Sequence, residues 1–206
     1  MKVLLINGSP KMGGNTAFAL DQMVDVFKSE GVETEIIQVG NQLIRGCTGC
    51  GSCHKIGKCV FDDLVNETAE KLREADGLVL GSPVYYASPN GTLLSFLDRL
   101  FYSSGSVDKR MIVGSSVVVA RRGGCTASMD VLNKYFTISQ MPVASSTYWN
   151  IIHGAKPGEA AQDAEGIRTV RNLAKNVVFL MRSVAMGKEH IGYPEAEKKV
   201  FTNFIR

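Results

Sequence analysis

The sequence predicts an α/β fold, a doubly wound parallel sheet of five strands with helices on both faces. Short, continuously apolar runs are typical of strands that are buried on both faces. Stretches with apolar residues at helical spacing alternate with these runs. Loops rich in glycine follow the strands, as they do at the ligand-binding edge of such sheets. With 206 residues, 45% of them apolar, the chain can form one domain with a full core.

The first half of the chain predicts the order β-α-β-α-β. Its three apolar runs predict strands at Lys2 to Ile6, Thr34 to Val39 and Gly77 to Gly81. Between the first two strands lies a helix that Asn15 is placed to cap and that Gly31 ends. Asp62 or Asp63 is placed to cap the helix before the third strand.

The second half continues the alternation. Its helices are predicted at about residues 92–101, 126–138 and 161–183, and its strands at about 115–119 and within 141–148. The last twenty or so residues show no clear period. We therefore predict a single domain at residues 1–186, which includes a cysteine-rich loop at 46–60, and a C-terminal tail at 187–206.

Charge and the N-terminal segment exclude several classes of protein. The net charge is +3, from 23 basic and 20 acidic residues without long runs of one sign, so we expect no nucleic-acid partner. The apolar start of "MKVLLINGSPK" is too short for a signal peptide or a membrane span. We therefore expect a cytoplasmic protein without a membrane partner, in a compartment where structural disulfides are rare.

The loop after the first strand, "GSPKMGGNT", has the features of a phosphate site. It leads into a helix N-terminus, where free N–H groups and the helix dipole favour an anion. It lacks the Lys-Ser/Thr pair of nucleoside triphosphate loops and the G-x-G-x-x-G pattern of dinucleotide sites, so a monophosphate ligand fits better. The candidate ligand-binding residues here are Ser9, Lys11, Gly13, Gly14, Asn15 and Thr16.

Two further loops, "GSPVYYASPNG" and "ARRGG", combine ring-sized surfaces with polar groups. Aromatic and proline surfaces suit the face of a flat heteroaromatic ring, while polar groups suit its edge. An arginine there could meet the carbonyl oxygens of the ring or a nicotinamide phosphate. The candidate residues are Ser82, Pro83, Val84, Tyr85, Tyr86 and Asn90 in the first loop, and Ala120, Arg121, Arg122, Gly123 and Gly124 in the second.

Four of the five cysteines fall in one loop with the spacing C-x2-C-x2-C-x5-C, at Cys47, Cys50, Cys53 and Cys59. This compact set suits a 4Fe-4S cluster. Zinc sites usually combine two separated C-x-x-C pairs, and a redox dithiol would need only two of the cysteines, but both alternatives stay open. The loop follows the second strand, which predicts that it lies on the same sheet edge as the phosphate loop. We expect Cys125 to be a small buried residue.

The segments "GSPKMGGNT", "GSPVYYASPNGTLLSFLDR" and "CTGCGSCHKIGKCVFDD" resemble the flavodoxin-like NADPH-dependent FMN reductase family, and within it the iron-sulfur flavoproteins. The resemblance implies an FMN cofactor, with its phosphate on the Ser9 to Thr16 loop and its ring between the Ser82 to Asn90 and Ala120 to Gly124 loops. It also implies a homodimer or homotetramer, with Ser88 to Leu97 and the cysteine loop as candidate contact surfaces.

The function that follows is an FMN-dependent oxidoreductase that takes electrons from NAD(P)H and reduces FMN, quinones or similar small-molecule acceptors. We predict no catalytic side chain, because the hydride chemistry takes place at the flavin. The alternative is an electron carrier that takes electrons from a ferredoxin-like donor through a 4Fe-4S cluster. A non-catalytic, flavin-binding regulatory module is the least supported class.

Overall fold

The computed structural model describes residues 1–198 and 200–205. Its strands are β1 (Lys2–Asn7), β2 (Glu33–Gln38), β3 (Gly77–Tyr85), β4 (Ser88–Pro89), β5 (Val113–Ala120) and β6 (Ile151–His153). Five of these are parallel and lie in the order β2-β1-β3-β5-β6, while β4 pairs with the end of β3 in an antiparallel hairpin. The predicted five-stranded, doubly wound sheet is confirmed.

Helices cover both faces of the sheet. They are α1 (Asn15–Ser29), α2 (Cys53–Ile56), α3 (Leu64–Leu72), α4 (Gly91–Ser103), α5 (Cys125–Ile138) and α6 (Ala164–His190), with a 3₁₀ turn at Glu159–Gln162. Alternate residues of β1 face opposite ways: Val3 and Leu5 pack with α1 and α6, whereas Leu4 and Ile6 pack with α3, α4 and α5. The sheet is thus buried on both faces, which explains its continuously apolar strands.

The position of the fifth parallel strand was predicted wrongly. The strand lies at Ile151–His153, and the stretch 141–148 contributes only an isolated bridge between Val143 and Gly114. "MPVA" has the composition of a strand, but Pro142 has no N–H to donate to a ladder. The final helix is also longer than the predicted 161–183, since α6 runs from Ala164 to His190.

The strand order creates a switch point beside β1. From β2 on one side of β1, the chain crosses to β3 on the other side, so the loops that follow β1 and β3 open at the same place. The N–H of Gly8 donates to the carbonyl of Gly81 at 2.8 Å, which joins the starts of these two loops. Because β5 is parallel to β3, its following loop opens at the same edge.

Beyond α6, the described residues 191–198 and 200–205 adopt no regular secondary structure. The predicted boundary between domain and tail at residue 186 falls within α6 and stays a prediction. Among the residues that the structure describes, no helix combines the length and apolar character needed to span a bilayer.

Candidate functional site

The loop after β1 is supported by hydrogen bonds and close backbone contacts from neighbouring residues. The Asn7 side-chain oxygen accepts the Ser9 N–H at 3.0 Å, and the Gln38 side-chain amide donates to the Ser9 carbonyl at 2.6 Å. Gly40 passes so close that a Cβ there would lie well under 3.0 Å from the backbone of Gly8 and Ser9. These three supporting residues were not predicted, although a glycine immediately after a strand is a signal of close backbone approach.

The start of α1 is open to an anion. Gly14 is its N-cap, no side chain caps it by a hydrogen bond, and its first turn contains no acidic residue. Its first N–H groups therefore keep their capacity to donate, and the positive end of the helix dipole adds to the attraction. Ser9 and Thr16 are buried beside it, whereas Lys11 and Gly13 are exposed. This donor set fits the phosphate of FMN.

Asn15 does not cap the helix as predicted, because it is already the first helical residue. Its side-chain amide donates to the carbonyl of Lys156 at 2.9 Å and accepts the N–H of Ala160 at 3.3 Å. The amide thus ties α1 to the segment after β6. As an FMN contact, Asn15 stays a prediction, and it would act through its backbone N–H.

The second loop is a tight hairpin. Tyr85 pairs with Ser88, and the two residues between them, Tyr86 and Ala87, have φ angles of 50° and 58°. Two left-handed residues make a turn that suits a two-residue hairpin but strains side chains other than those of Gly and Asn. Tyr86 is fully exposed at the tip and Tyr85 is about half exposed. The hairpin therefore presents aromatic surface at the edge of the sheet.

Ser82 and Asn90 hold this loop together. The Ser82 hydroxyl accepts the N–H of Asn90 at 3.0 Å, and the Asn90 side-chain oxygen accepts the N–H of Thr92 at 2.7 Å as the N-cap of α4. Both residues are buried. Their side chains have structural partners, and their contact with FMN stays a prediction.

The third loop lies directly against the hairpin. Gly124 has φ of 89°, and a Cβ on it would lie 2.7 Å from the Cα of Ala87, so only glycine allows this approach. Arg121, Arg122 and Gly123 are exposed beside it. The structure thus brings the three predicted loops together at one edge, with the start of α1 next to aromatic and cationic side chains. That combination fits a flavin mononucleotide.

The four clustered cysteines line one pocket, as their spacing predicts. Cys47 and Cys50 are exposed, whereas Cys53 and Cys59 are half-buried. The chain turns through left-handed glycines at positions 49, 51 and 57, with φ of 66°, 68° and 74°. Hydrogen bonds from Ser52 lower the pKa of the Cys50 thiol. The fifth cysteine, Cys125, is buried as predicted, and this burial raises the pKa of its thiol.

The inner wall of this pocket is formed by the last turns of α4. Arg99 is 1% exposed, forms an ion pair with Asp63 at 2.7 Å, and donates to the sulfur of Cys59 from Nε at 3.3 Å and Nη2 at 3.2 Å. Asp63 also caps α3, as predicted, by accepting the N–H of Val65 at 3.1 Å. Neither Arg99 nor Ser103, which also lines the pocket, was predicted; the signal was an arginine on the apolar face of the helix, between Phe96 and Leu100.

The four cysteines surround one opening together with aromatic and polar side chains. Among the residues that the structure describes, no three Cys, His, Asp or Glu side chains converge closely enough to hold one metal ion. A zinc ion needs four ligands around one centre, and a 4Fe-4S cluster needs one thiolate at each of four corners, so the cluster stays a prediction. The buried Ser103 hydroxyl, which lines this pocket, has no hydrogen-bond partner among residues 1–198 and 200–205. His54 is exposed and pairs with Tyr102 at 2.9 Å.

The position of the cysteine loop relative to the flavin stays a prediction. The loop follows β2 at the edge where the three loops lie, and its pocket lies against the last turns of α4, beside Arg99 and Ser103. Asn90, in the second of the three loops, precedes Arg99 by nine residues, which at the rise of an α-helix is about 13 Å along the axis. The cysteine pocket shares no lining residue with the three loops.

Comparison with known proteins agrees with this geometry. The family model described as NADPH-dependent FMN reductase matches residues 1–156. An iron-sulfur flavoprotein of Methanocaldococcus jannaschii is 34% identical over 191 residues, which cover 89% of this chain and 99% of that protein.

Two solved structures show that the fold is flavodoxin-like. RosB with bound 8-demethyl-8-formylriboflavin-5'-phosphate has a TM-score of 0.70 at 18% identity, covering 100% of this chain and 94% of its own. A flavodoxin from the domain Archaea has a TM-score of 0.55 at 15% identity, covering 86% and 99%.

Proposed function

Because the chain belongs to the NADPH-dependent FMN reductase family, in its iron-sulfur flavoprotein-like subgroup, and is a flavin oxidoreductase, we propose that it oxidises NAD(P)H through bound FMN and reduces a small-molecule acceptor. The observation that carries this proposal is the uncapped start of α1, next to the hairpin of Tyr85 and Tyr86 and to Arg121 and Arg122. One edge of the sheet thus offers a site for an anion, aromatic surface for a ring and exposed arginine side chains.

Different residues at this edge would bind the phosphate and the ring of FMN. Ser9, Lys11 and the first N–H groups of α1 would hold the phosphate. The tyrosine hairpin and the loop of Arg121 and Arg122 would hold the ring, and one of these arginines would meet a nicotinamide phosphate. Bound FMN supplies the capacity to accept a hydride and to release electrons singly or in pairs.

The test is anaerobic reduction of the FMN-loaded protein, followed as loss of the oxidised flavin absorbance under excess NADPH or NADH. We expect bleaching by at least one of them. Arg121→Ala and Arg122→Ala should raise the KM for NADPH more than that for NADH, because only NADPH carries the additional phosphate. Lys28→Ala, which removes a cation from the last turn of α1 at the opposite end of that helix, is the matched control. Absence of bleaching by both nucleotides contradicts the proposal.

We further propose that Cys47, Cys50, Cys53 and Cys59 bind a 4Fe-4S cluster. The shared pocket and the partnerless Ser103 hydroxyl support this assignment. Cys50→Ser should abolish iron and acid-labile sulfide binding while FMN still binds, because the phosphate loop is a separate structure. Cys125→Ser is the control and should keep both cofactors. Zinc without sulfide, or four titratable thiols without metal, would contradict the cluster.

A second candidate function is electron transfer from a ferredoxin-like protein. Two of the four cluster-ligand candidates, Cys47 and Cys50, are exposed, so a group in this pocket would lie at the protein surface where a redox partner can approach. Reduced ferredoxin should then reduce the protein faster than either nicotinamide does. The reverse ranking would favour the reductase.

We also propose that the chain assembles into a homodimer or homotetramer. The support is the fully exposed Tyr86 at the tip of a two-residue hairpin, since aromatic side chains are enriched at protein interfaces. Light scattering of the FMN-loaded protein should give twice or four times the 22.3 kDa mass of the chain. A mass equal to that of one chain would contradict the assembly.

A further inference from the structure

The wall of the cysteine pocket contains two polar side chains that no redox chemistry of the thiols themselves requires. Arg99 and Ser103 are four residues apart on α4, so they lie on the same face of the helix, and both line the pocket. Arg99 is 1% exposed and Ser103 is 5% exposed. Two buried polar groups on the core-facing side of one helix need a reason, because burial of polar groups is unfavourable unless hydrogen bonds compensate it.

Arg99 is locked in one orientation by its hydrogen bonds. Its guanidinium meets both carboxylate oxygens of Asp63, at 2.7 and 3.0 Å, and donates to the carbonyls of Arg45 and Phe61, each at 3.3 Å. The aromatic ring of Phe61 lies 5.1 Å from the guanidinium carbon. Nε donates to the sulfur of Cys59 at 3.3 Å, and Nη2 shares its two N–H groups among that sulfur at 3.2 Å, Asp63 and Phe61. The arginine therefore brings a positive charge, the Nε donor and a shared Nη2 donor to one sulfur.

Ser103 is the opposite case, a buried hydroxyl whose oxygen has no hydrogen-bond partner within the described part of the chain. Such atoms are rare, and each one calls for an unseen partner or a functional reason. Because Ser103 lines the same pocket as all four clustered cysteines, the group that occupies the pocket is the partner available to it.

We propose that Arg99 and Ser103 are positioning residues for the iron-sulfur cluster: Arg99 fixes Cys59, both donate hydrogen bonds to sulfur, and together they raise the reduction potential of the cluster. The inference rests on the proposed function, because it requires the cluster. Its physical basis is that reduction adds negative charge to the cluster. Hydrogen bonds to sulfur and a nearby cation stabilise the reduced form more than the oxidised form.

The test is an equilibrium redox titration of the cluster in three variants, followed by electron paramagnetic resonance on protein that holds iron, sulfide and FMN. Ser103→Ala removes one donor, and Arg99→Lys keeps the charge but loses the planar fork. Each should lower the equilibrium constant for reduction about tenfold, which for one electron is a potential about 59 mV lower. Ser104→Ala is the matched control: it removes a neighbouring buried hydroxyl that bonds Leu100 and Lys109 and does not line the pocket, so the potential should not move.

The outcomes separate this inference from the proposals on which it rests. A Ser103→Ala protein with full iron and sulfide but the wild-type potential overturns the assignment of Ser103, even if Arg99→Lys fails to fold. An Arg99→Lys protein with an unchanged potential overturns that of Arg99. Wild-type protein that takes up no iron or sulfide overturns both this inference and the cluster, while bleaching of FMN by NAD(P)H decides the reductase proposal independently.

Discussion

Replacing Gly40 by alanine should weaken FMN binding although this residue is not expected to touch the cofactor. A Cβ at position 40 would lie under 3.0 Å from the Gly8 carbonyl and from the backbone of Ser9. These are main-chain atoms, so no side chain can rotate away, and the loop must move by about 1 Å to restore normal contact distances. The move also stretches the hydrogen bond from the Gly40 N–H to the carbonyl of Asn7, now 3.1 Å.

The expected changes in stability and in FMN affinity follow from these contacts. Overpacking of this kind costs about 1–3 kcal/mol in the free energy of unfolding. A phosphate loop displaced by about 1 Å lies outside the half-ångström tolerance of a preorganised site, so we expect the FMN dissociation constant to rise at least tenfold, or about 1.4 kcal/mol.

Gly105→Ala is the matched control, because a Cβ there meets nothing within 4 Å. Flavin fluorescence quenching gives the dissociation constant, and urea unfolding of the apoprotein gives the stability. Refutation is simple to recognise: a Gly40→Ala protein that binds FMN as tightly as the Gly105→Ala protein would show that the support behind the loop does not position the phosphate.

Two further substitutions test the energetics of the fold. Asp63→Ala removes the α3 cap and leaves the guanidinium of Arg99 buried without its partner, so urea unfolding should show a loss of about 3–5 kcal/mol, against less than about 0.5 for Asp62→Ala. The pKa of Tyr135 is raised mainly by burial of its phenol and also by its hydrogen bond to Asp98. Stability should therefore fall above about pH 10, where the unfolded phenol ionises and the folded one does not, and Tyr135→Phe should abolish this fall; a fall of equal size in the variant contradicts the assignment.

The sequence predicted those features that depend on local pattern. Strands buried on both faces leave continuous apolar runs, and a carboxylate before a helix leaves a capping signal, so β1, β3 and the cap at Asp63 were found. The last parallel strand was misplaced because Met141 to Ala144 has the composition of a strand, whereas Ile151–His153 is only three residues long. Pairing with β5 defines that strand, and pairing is a tertiary property.

The residues that support each site were less predictable for the same reason. Gln38 and Gly40 act on a loop about thirty residues away, and Arg99 acts on Cys59 across a separation of 40 residues. Nothing in the local pattern connects such partners. Asn15 shows the converse, since a residue type that favours helix caps was instead used to bind the carbonyl of Lys156.

Because the cysteine pocket and the three loops lie at different places along α4, variants in each should affect different cofactors. The helix begins beside the three loops, where Asn90 caps it, and its last turns line the cysteine pocket, where Arg99 lies about 13 Å further along the axis. Gly40→Ala perturbs the loop after β1, which contributes no residue to the cysteine pocket, so iron and sulfide should be retained while FMN binds more weakly. Cys50→Ser should show the reverse. If both cofactors disappear in either variant, the sites are coupled through folding, and the independence that the geometry indicates would have to be abandoned.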